Sequence, residues 1–294
     1  AYSKQLRRKR AMAVTSSIGP GATNMVTAAA LAHVNRLPVL LLPGDAFASR
    51  GPDPVLQQVE SFGDGTVSAN DCFKPVSRYF DRISRPEHLL TALPRAFRTM
   101  TDPADCGPAV LAMPQDVQAE AYDYPESFFE PKIWHQCRIR PDAGELARVV
   151  EAIRGAKRPV IVAGGGAHYS EATAALTAFA EAHNIPVAET QAGKSALAWD
   201  HPLNLGPIGV TGGEPANDVC EKADLVLGIG TRFQDFTTGS WGLFANPERV
   251  LISLNTAAYD AEKHGAMPVQ ADARVGIEEL TQALAGYAVD APEI

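Results

Sequence analysis

Two glycine-bearing connections in this chain have residue types and spacing that could hold a ligand. The first is Ser17-Ile18-Gly19-Pro20-Gly21-Ala22-Thr23-Asn24, directly after the apolar run 11–15. Gly19 and Gly21 permit close backbone approach, and Pro20 suits the first turn of a helix. A helix start also leaves N–H groups without partners inside the helix. A ligand could dock there, yet the same residues serve any plain strand–turn–helix connection. The second is Gly164-Gly165-Gly166, after the apolar run 160–163. Such a turn invites a phosphate or nucleotide, and Glu189 could play the ribose-binding acid. The dinucleotide fingerprint fails, however, because its third glycine would fall at Tyr169.

Three other motifs carry less. Gly193-Lys194-Ser195 resembles the tail of a P-loop, but the leading glycine would have to stand where Ala188 does. Gly63-Asp64-Gly65 resembles the start of a diphosphate–magnesium motif, but no buried strand precedes it and no Asn-Asn closes it. The 7 histidines, among them His168 and His201, are scattered without an HExxH pattern.

These turns need elements to position them. Short apolar runs recur at 11–15, 39–42, 109–113, 160–163, 185–188, 225–229 and 250–254, each bounded by Gly, Pro or charge. Buried parallel strands read this way. Helical segments fall between them, at 22–35, 86–100, 143–155, 171–183, 215–222 and 275–285. Ser84 with Glu87, and Asp142 with Glu145, read as capping boxes, and Ser170 as the cap of the helix after Gly166. The alternation predicts an α/β fold with parallel sheets and crossover helices. Between 123 and 141 the pattern breaks in a stretch holding three prolines and the aromatics Tyr124, Phe128, Phe129 and Trp134. We therefore expect a first domain over 1–125, a pinned linker over 126–142 and a second domain over 143–294.

Composition sets the class. With 46% hydrophobic and 20% charged residues the chain can build two cores. A net charge of −8 argues against nucleic acid or anionic membrane as partners, and the basic run 4–10 reads as a solvated helix end. The longest apolar stretches fall far short of a membrane span. The 4 cysteines, Cys72, Cys106, Cys137 and Cys220, form no CxxC pair and match no zinc spacing, so a reduced, cytoplasmic setting is expected. The chain opens on Ala1 in what reads as the tail of a helix, so we expect a truncated front.

The run TSSIGPGATN (15–24) resembles the SGPGATN segment of the acetohydroxyacid synthase branch of thiamine diphosphate (ThDP) enzymes. NRLPVLLLPGD (35–45), DPVLQQVESF (53–62), GPAVLAMPQDVQ (107–118), KRPVIVAGGGA (157–167) and ADLVLGIGTRFQDFTTG (223–239) follow in that branch's order. The resemblance implies the rear part of a pyrimidine-binding domain followed by a Rossmann-like parallel-sheet middle domain. It places Pro20 and Asn24 beside the aminopyrimidine ring of ThDP, with Gln57 reaching the cofactor from the next loop. No catalytic residue and no metal ligand is expected in this chain. The activating glutamate and the domain holding diphosphate and Mg2+ belong to parts outside it.

Where the synthases show Phe-Gln-Glu, this chain has Leu56-Gln57-Gln58, which counts against acetolactate chemistry. The wording of 24–60 and 70–83 is similar to a branch member that hydrolyses a carbon–carbon bond of a small cyclic dione. The implied partners are that substrate, the enzyme's own missing domains and further copies of itself. This chain alone is expected to be inactive. Flavin, which middle domains of the branch often hold, is not expected. Gly164–Gly166 and Arg232 match the phosphate part of a flavin site, but Ser253-Leu254-Asn255-Thr256 replaces the branch's acidic Ile-Asp-Ile-Asp. An acetolactate synthase and a non-catalytic nucleotide-binding module remain the alternatives.

Overall fold

In the computed structural model, residues 1–61 and 63–290 are described. Phe62, the last residue of the 53–62 segment, and residues 291–294, the end of the second expected domain, lie outside the described residues. The chain divides into two compact units, Ala1–Cys137 and Arg138–Ile294.

The first unit is built on a four-stranded, all-parallel sheet of β1 (Ala13–Ser16), β2 (Val39–Asp45), β3 (Tyr79–Arg82) and β4 (Pro108–Pro114), in the order β1-β2-β4-β3. Leu40 of β2 pairs with Ala13 on one side and Ala109 on the other. Central strands β2 and β4 are continuous apolar runs because both faces are covered. On one face Leu40, Ala109 and Leu111 pack with Ile83 and with Ala92, Ala96 and Met100 of helix Leu89–Thr101. On the other, Leu41 and Val110 pack with Ala22, Ala29 and Phe73. β1 is an edge strand, and Met12 and Val14 beside its free side are exposed. The stretch after β4 is held by rings: Trp134 stacks on Phe97 at 6.0 Å, and Tyr124 stacks on Phe128 at 5.3 Å.

The second unit carries a six-stranded parallel sheet in the order β10-β9-β8-β5-β6-β7. Its strands are β5 (Pro159–Ala163), β6 (Val187–Glu189), β7 (Asn204–Pro207), β8 (Leu225–Ile229), β9 (Val250–Asn255) and β10 (Met267–Gln270). Ile161, Leu227 and Ile252 face helices Ala143–Gly155, Thr173–His183 and Ala273–Ala283, while Val160, Val162 and Val226 face Cys220 and Phe244. Sequential growth outward from β5 in both directions is the doubly wound pattern, with a switch point between β5 and β8.

Several local expectations are corrected. The helix expected over 22–35 is two pieces, Pro20–Thr23 and Val26–Val34. Ser84 caps nothing: Arg85 occupies the cap position before Pro86–His88, and Glu87 pairs with Arg85. Asp142 does cap its helix through Gly144 and Glu145, but Glu145 accepts from Gln270 N rather than reaching back. Ser170 accepts from Ala273 N and so serves helix Ala273–Ala283 beside Asp272, not its own turn. The basic run 4–10 is, as expected, a largely exposed helix end: it begins in the last residues of the one-turn helix Tyr2–Gln5 and continues past it through Arg7 and Arg8 at positive φ.

Candidate functional site

At the carboxyl end of the first sheet, β1 runs out at Ser16 and Ile18 turns inward over the end of β2. Gly19 then takes φ 58 and ψ −118, a conformation that L side chains avoid. A Cβ on Gly19 would stand 2.0 Å from the carbonyl oxygen of Gln57. Only glycine lets these two backbones meet. Pro20 opens the one-turn helix Pro20–Thr23, in which Thr23 N donates to Gly19 O at 2.9 Å and Asn24 N to Pro20 O at 3.1 Å. The side chains of Pro20, Asn24 and Gln57 are exposed, and Gln57 itself has φ 68. The three residues named from the sequence are thus linked through the Gly19–Gln57 backbone contact and keep their side chains open to a ligand.

The loop that brings Gln57 there is anchored by residues that sequence reading missed. Asp45, the last residue of β2, is 3% exposed. Its Oδ1 accepts from Ala46 N and from Ser68 Oγ, each at 2.9 Å. Its Oδ2 lies 2.8 Å from Arg82 Nε, close in distance but outside hydrogen-bond geometry. Burial pushes the Asp45 carboxyl above its ordinary range, against the opposing pull of Arg82 and Ser68. Ser68 also accepts from Asn70 N, and buried Asn70 donates from Nδ2 to Gly44 O at 2.9 Å. Asp116 also holds the start of the loop, accepting from Ala48 N and Ser49 N at 2.9 Å. Within the loop, Asp64 accepts from both N and Oγ1 of Thr66, so Gly63-Asp64-Gly65 forms a local turn. The signal was a charged residue closing an apolar strand, which on its own does not reveal burial.

In the second unit the glycine turn sits at the switch point between β5 and β8. A Cβ on Gly164 would come within 2.4 Å of Gly230 O, and one on Gly166 within 2.5 Å of Gly230 Cα. Gly193 is pressed on Ala163 O in the same way, at 2.1 Å. These glycines let the chain pack on its own backbone. Glu189 is committed too: buried, it accepts from Ser195 N and Leu197 N at 3.0 Å each. Asn255 donates to Thr231 O at 3.0 Å and accepts from Ala257 N. Arg232, which follows Gly230 and Thr231 in sequence, is half-buried. Among the described residues no group of three or more His, Cys, Asp or Glu is placed to hold a metal ion. No helix among them is long and apolar enough to cross a membrane.

Residues 1–62 match the thiamine pyrophosphate enzyme N-terminal TPP binding domain, and residues 146–280 match the thiamine pyrophosphate enzyme central domain. The chain belongs to the thiamine pyrophosphate enzyme family. Its relatives include proteins named 3D-(3,5/4)-trihydroxycyclohexane-1,2-dione hydrolase. That of Geobacillus thermodenitrificans is 52% identical over 98% of this chain and 45% of the relative. That of Clostridium perfringens is 53% identical over 95% of this chain and 44% of the relative. That of Clostridium tetani is 50% identical over 99% and 45%. The chain therefore spans under half the length of the relatives it matches.

Proposed function

We propose that this chain supplies the pyrimidine-side wall and the central domain of a ThDP-dependent hydrolase acting on 3D-(3,5/4)-trihydroxycyclohexane-1,2-dione, a small cyclic dione of inositol catabolism, in the cytoplasm. The domains are 1–125 and 143–294, joined by 126–142. The observation that supports this reading is the Gly19–Gln57 contact, which brings the loop carrying Gln57 against the turn carrying Pro20, with the side chains of Pro20, Asn24 and Gln57 exposed. Beside that contact, an exposed proline face and two exposed side-chain amides suit an aminopyrimidine ring: flat, with donors and acceptors at its edge. ThDP, when bound with Mg2+, supplies the electron sink for cleaving the bond next to a carbonyl. This chain's own residues hold the ring end of the cofactor in place and fix its direction. We assign no proton transfer to them.

The second unit acts as scaffold in this reading, without flavin. Its would-be ribose acid is Asn255, already engaged with Thr231, and its glycines pack against Gly230. The same contacts weigh against a nucleotide-binding module. The exposed rim at Met12 and Val14 is covered in the assembled enzyme, a homo-oligomer. The test is an assay of the full-length enzyme with ThDP and Mg2+, following ring opening of the dione to 5-deoxyglucuronate. Turnover of the dione without condensation of pyruvate is expected. Acetolactate formed from pyruvate, with no turnover of the dione, would overturn the assignment and restore the synthase alternative.

A further inference from the structure

The loop 46–68 carries Gln57, and among its described residues there is little apolar packing to hold it. Leu56 is 89% exposed and Val59 and Val67 are also exposed. Its internal order comes from polar bonds: Val55 N to Gln58 Oε1, Arg50 Nη2 to Gly65 O, and Glu60, which accepts from both Val59 N and Ala69 N. A loop of this length with exposed apolar residues keeps one conformation only if its base is fixed. Asp116 holds Ala48 and Ser49 at the exposed start of the loop, and the link that joins its two ends is buried. The strand end at Asp45 starts the loop, Ser68 ends it, and the two side chains meet at 2.9 Å. Asn70 doubles the closure through Gly44 O, and Arg82 on β3 stands against the far carboxylate oxygen.

An apolar pair would close such a loop more cheaply, because a buried carboxylate is costly unless its bonds are geometrically specific. What the carboxylate adds is direction. A hydroxyl–carboxylate bond is short and oriented, and charge assistance makes it about twice as strong as a neutral one. We propose that Asp45 is a positioning residue of the cofactor site: with Ser68 it latches the base of loop 46–68 and so holds the Gln57 carbonyl on Gly19. This rests on the reading that Pro20, Asn24 and Gln57 face the pyrimidine ring. Asp45 acts through the loop and touches no ligand.

The experiment compares unaltered full-length enzyme with Ser68→Ala, Ser68→Thr and Asp45→Asn. Two quantities are read: amide hydrogen exchange across 46–68, and ThDP affinity by titration in the presence of Mg2+. Ser68→Ala removes the link, while Asp45→Asn leaves the Ser68 cap on Asn70 intact. Both should speed exchange in the loop with β2 and β4 still protected, and both should weaken ThDP about tenfold or more. Ser68→Thr keeps the hydroxyl and should restore both readings, which a general packing defect would not allow. If Asp45→Asn does not fold, the Ser68 pair decides alone. ThDP binding in the unaltered enzyme that Ser68→Ala leaves intact would remove this inference and spare the functional reading. No ThDP binding in the unaltered enzyme would remove both.

Discussion

The carbonyl oxygen of Gln57 lies over Gly19 so closely that one added methyl group would come within 2.0 Å of it. Two segments separated by two helices, a strand and half a loop are thereby locked face to face. Gly19→Ala attacks both sides of the contact, since φ 58 with ψ −118 is also unfavourable for alanine. We expect a loss of about 1–3 kcal/mol in stability from the strained backbone, measured by urea unfolding. ThDP binding should fall with it. A Gly19→Ala protein with unchanged cofactor affinity would separate Gln57 from the site.

Gly164 gives the matching test in the second unit. Its glycine reads in sequence like a phosphate cradle, whereas its added Cβ would meet Gly230 O at 2.4 Å. Gly164→Ala should therefore lower the melting temperature by forcing β5 and β8 apart at their carboxyl ends. Binding of flavin or nicotinamide nucleotides should be absent before and after. The purified full-length enzyme should be colourless. A yellow preparation with flavin near one per chain would refute the scaffold assignment.

The central strands were legible because burial on both faces writes a continuous apolar run. β2, β4, β5, β6, β8 and β9 all fall on the expected segments within a few residues. The three missed strands, β3, β7 and β10, are all sheet edges with half-buried or mixed patterns. These edges are only partly covered, so their sequences lack a continuous apolar run, whereas the edge strand β1 (Ala13–Ser16) fell on the expected run 11–15. Of the candidate site, Pro20, Asn24 and Gln57 came from a family resemblance. The fit of Gln57 onto Gly19 is a tertiary contact that no local pattern encodes. Gly164 and Glu189 show the reverse: their local chemistry suits a nucleotide, while Gly230 packs against the glycine and Ser195 and Leu197 bond to the carboxylate, contacts that no local pattern encodes either.

Asp45 leaves a pH signature. Its folded-state pKa is raised above 3.8, chiefly by burial, with Arg82 as the charged group opposing. A carboxyl raised on folding gives stability that is complete below its unfolded value and is lost as pH rises through the folded value. Asp45→Asn has no such loss. The stability of Asp45→Asn relative to the unaltered protein should therefore improve as pH rises from below 3.8 towards neutrality. Unfolding curves over that range check this. A difference that stays flat with pH would mean that Asp45 ionises as freely in the folded chain as in the unfolded one.

The thiols should divide into two pairs. Cys72 and Cys137 are exposed, while Cys106 and Cys220 are buried. Desolvation pushes the Cys106 thiol up to about 11 and that of Cys220 to about 12. Since the thiolate is the reactive form, neither buried thiol should react in the native protein at about pH 8. An aromatic disulfide reagent should titrate two thiols quickly and the other two only after denaturant is added. Cys72→Ser with Cys137→Ser should abolish the fast phase. The same shifts act on stability. Both folded values lie above the ordinary 9.0, so the contribution is complete below that value and is lost as pH climbs through it towards about 11 and 12. Alkaline unfolding should therefore begin above pH 9.0, and Cys220→Ala should delay it. Fast reaction of all four thiols in the native state would show that Cys106 and Cys220 are not enclosed by the two cores.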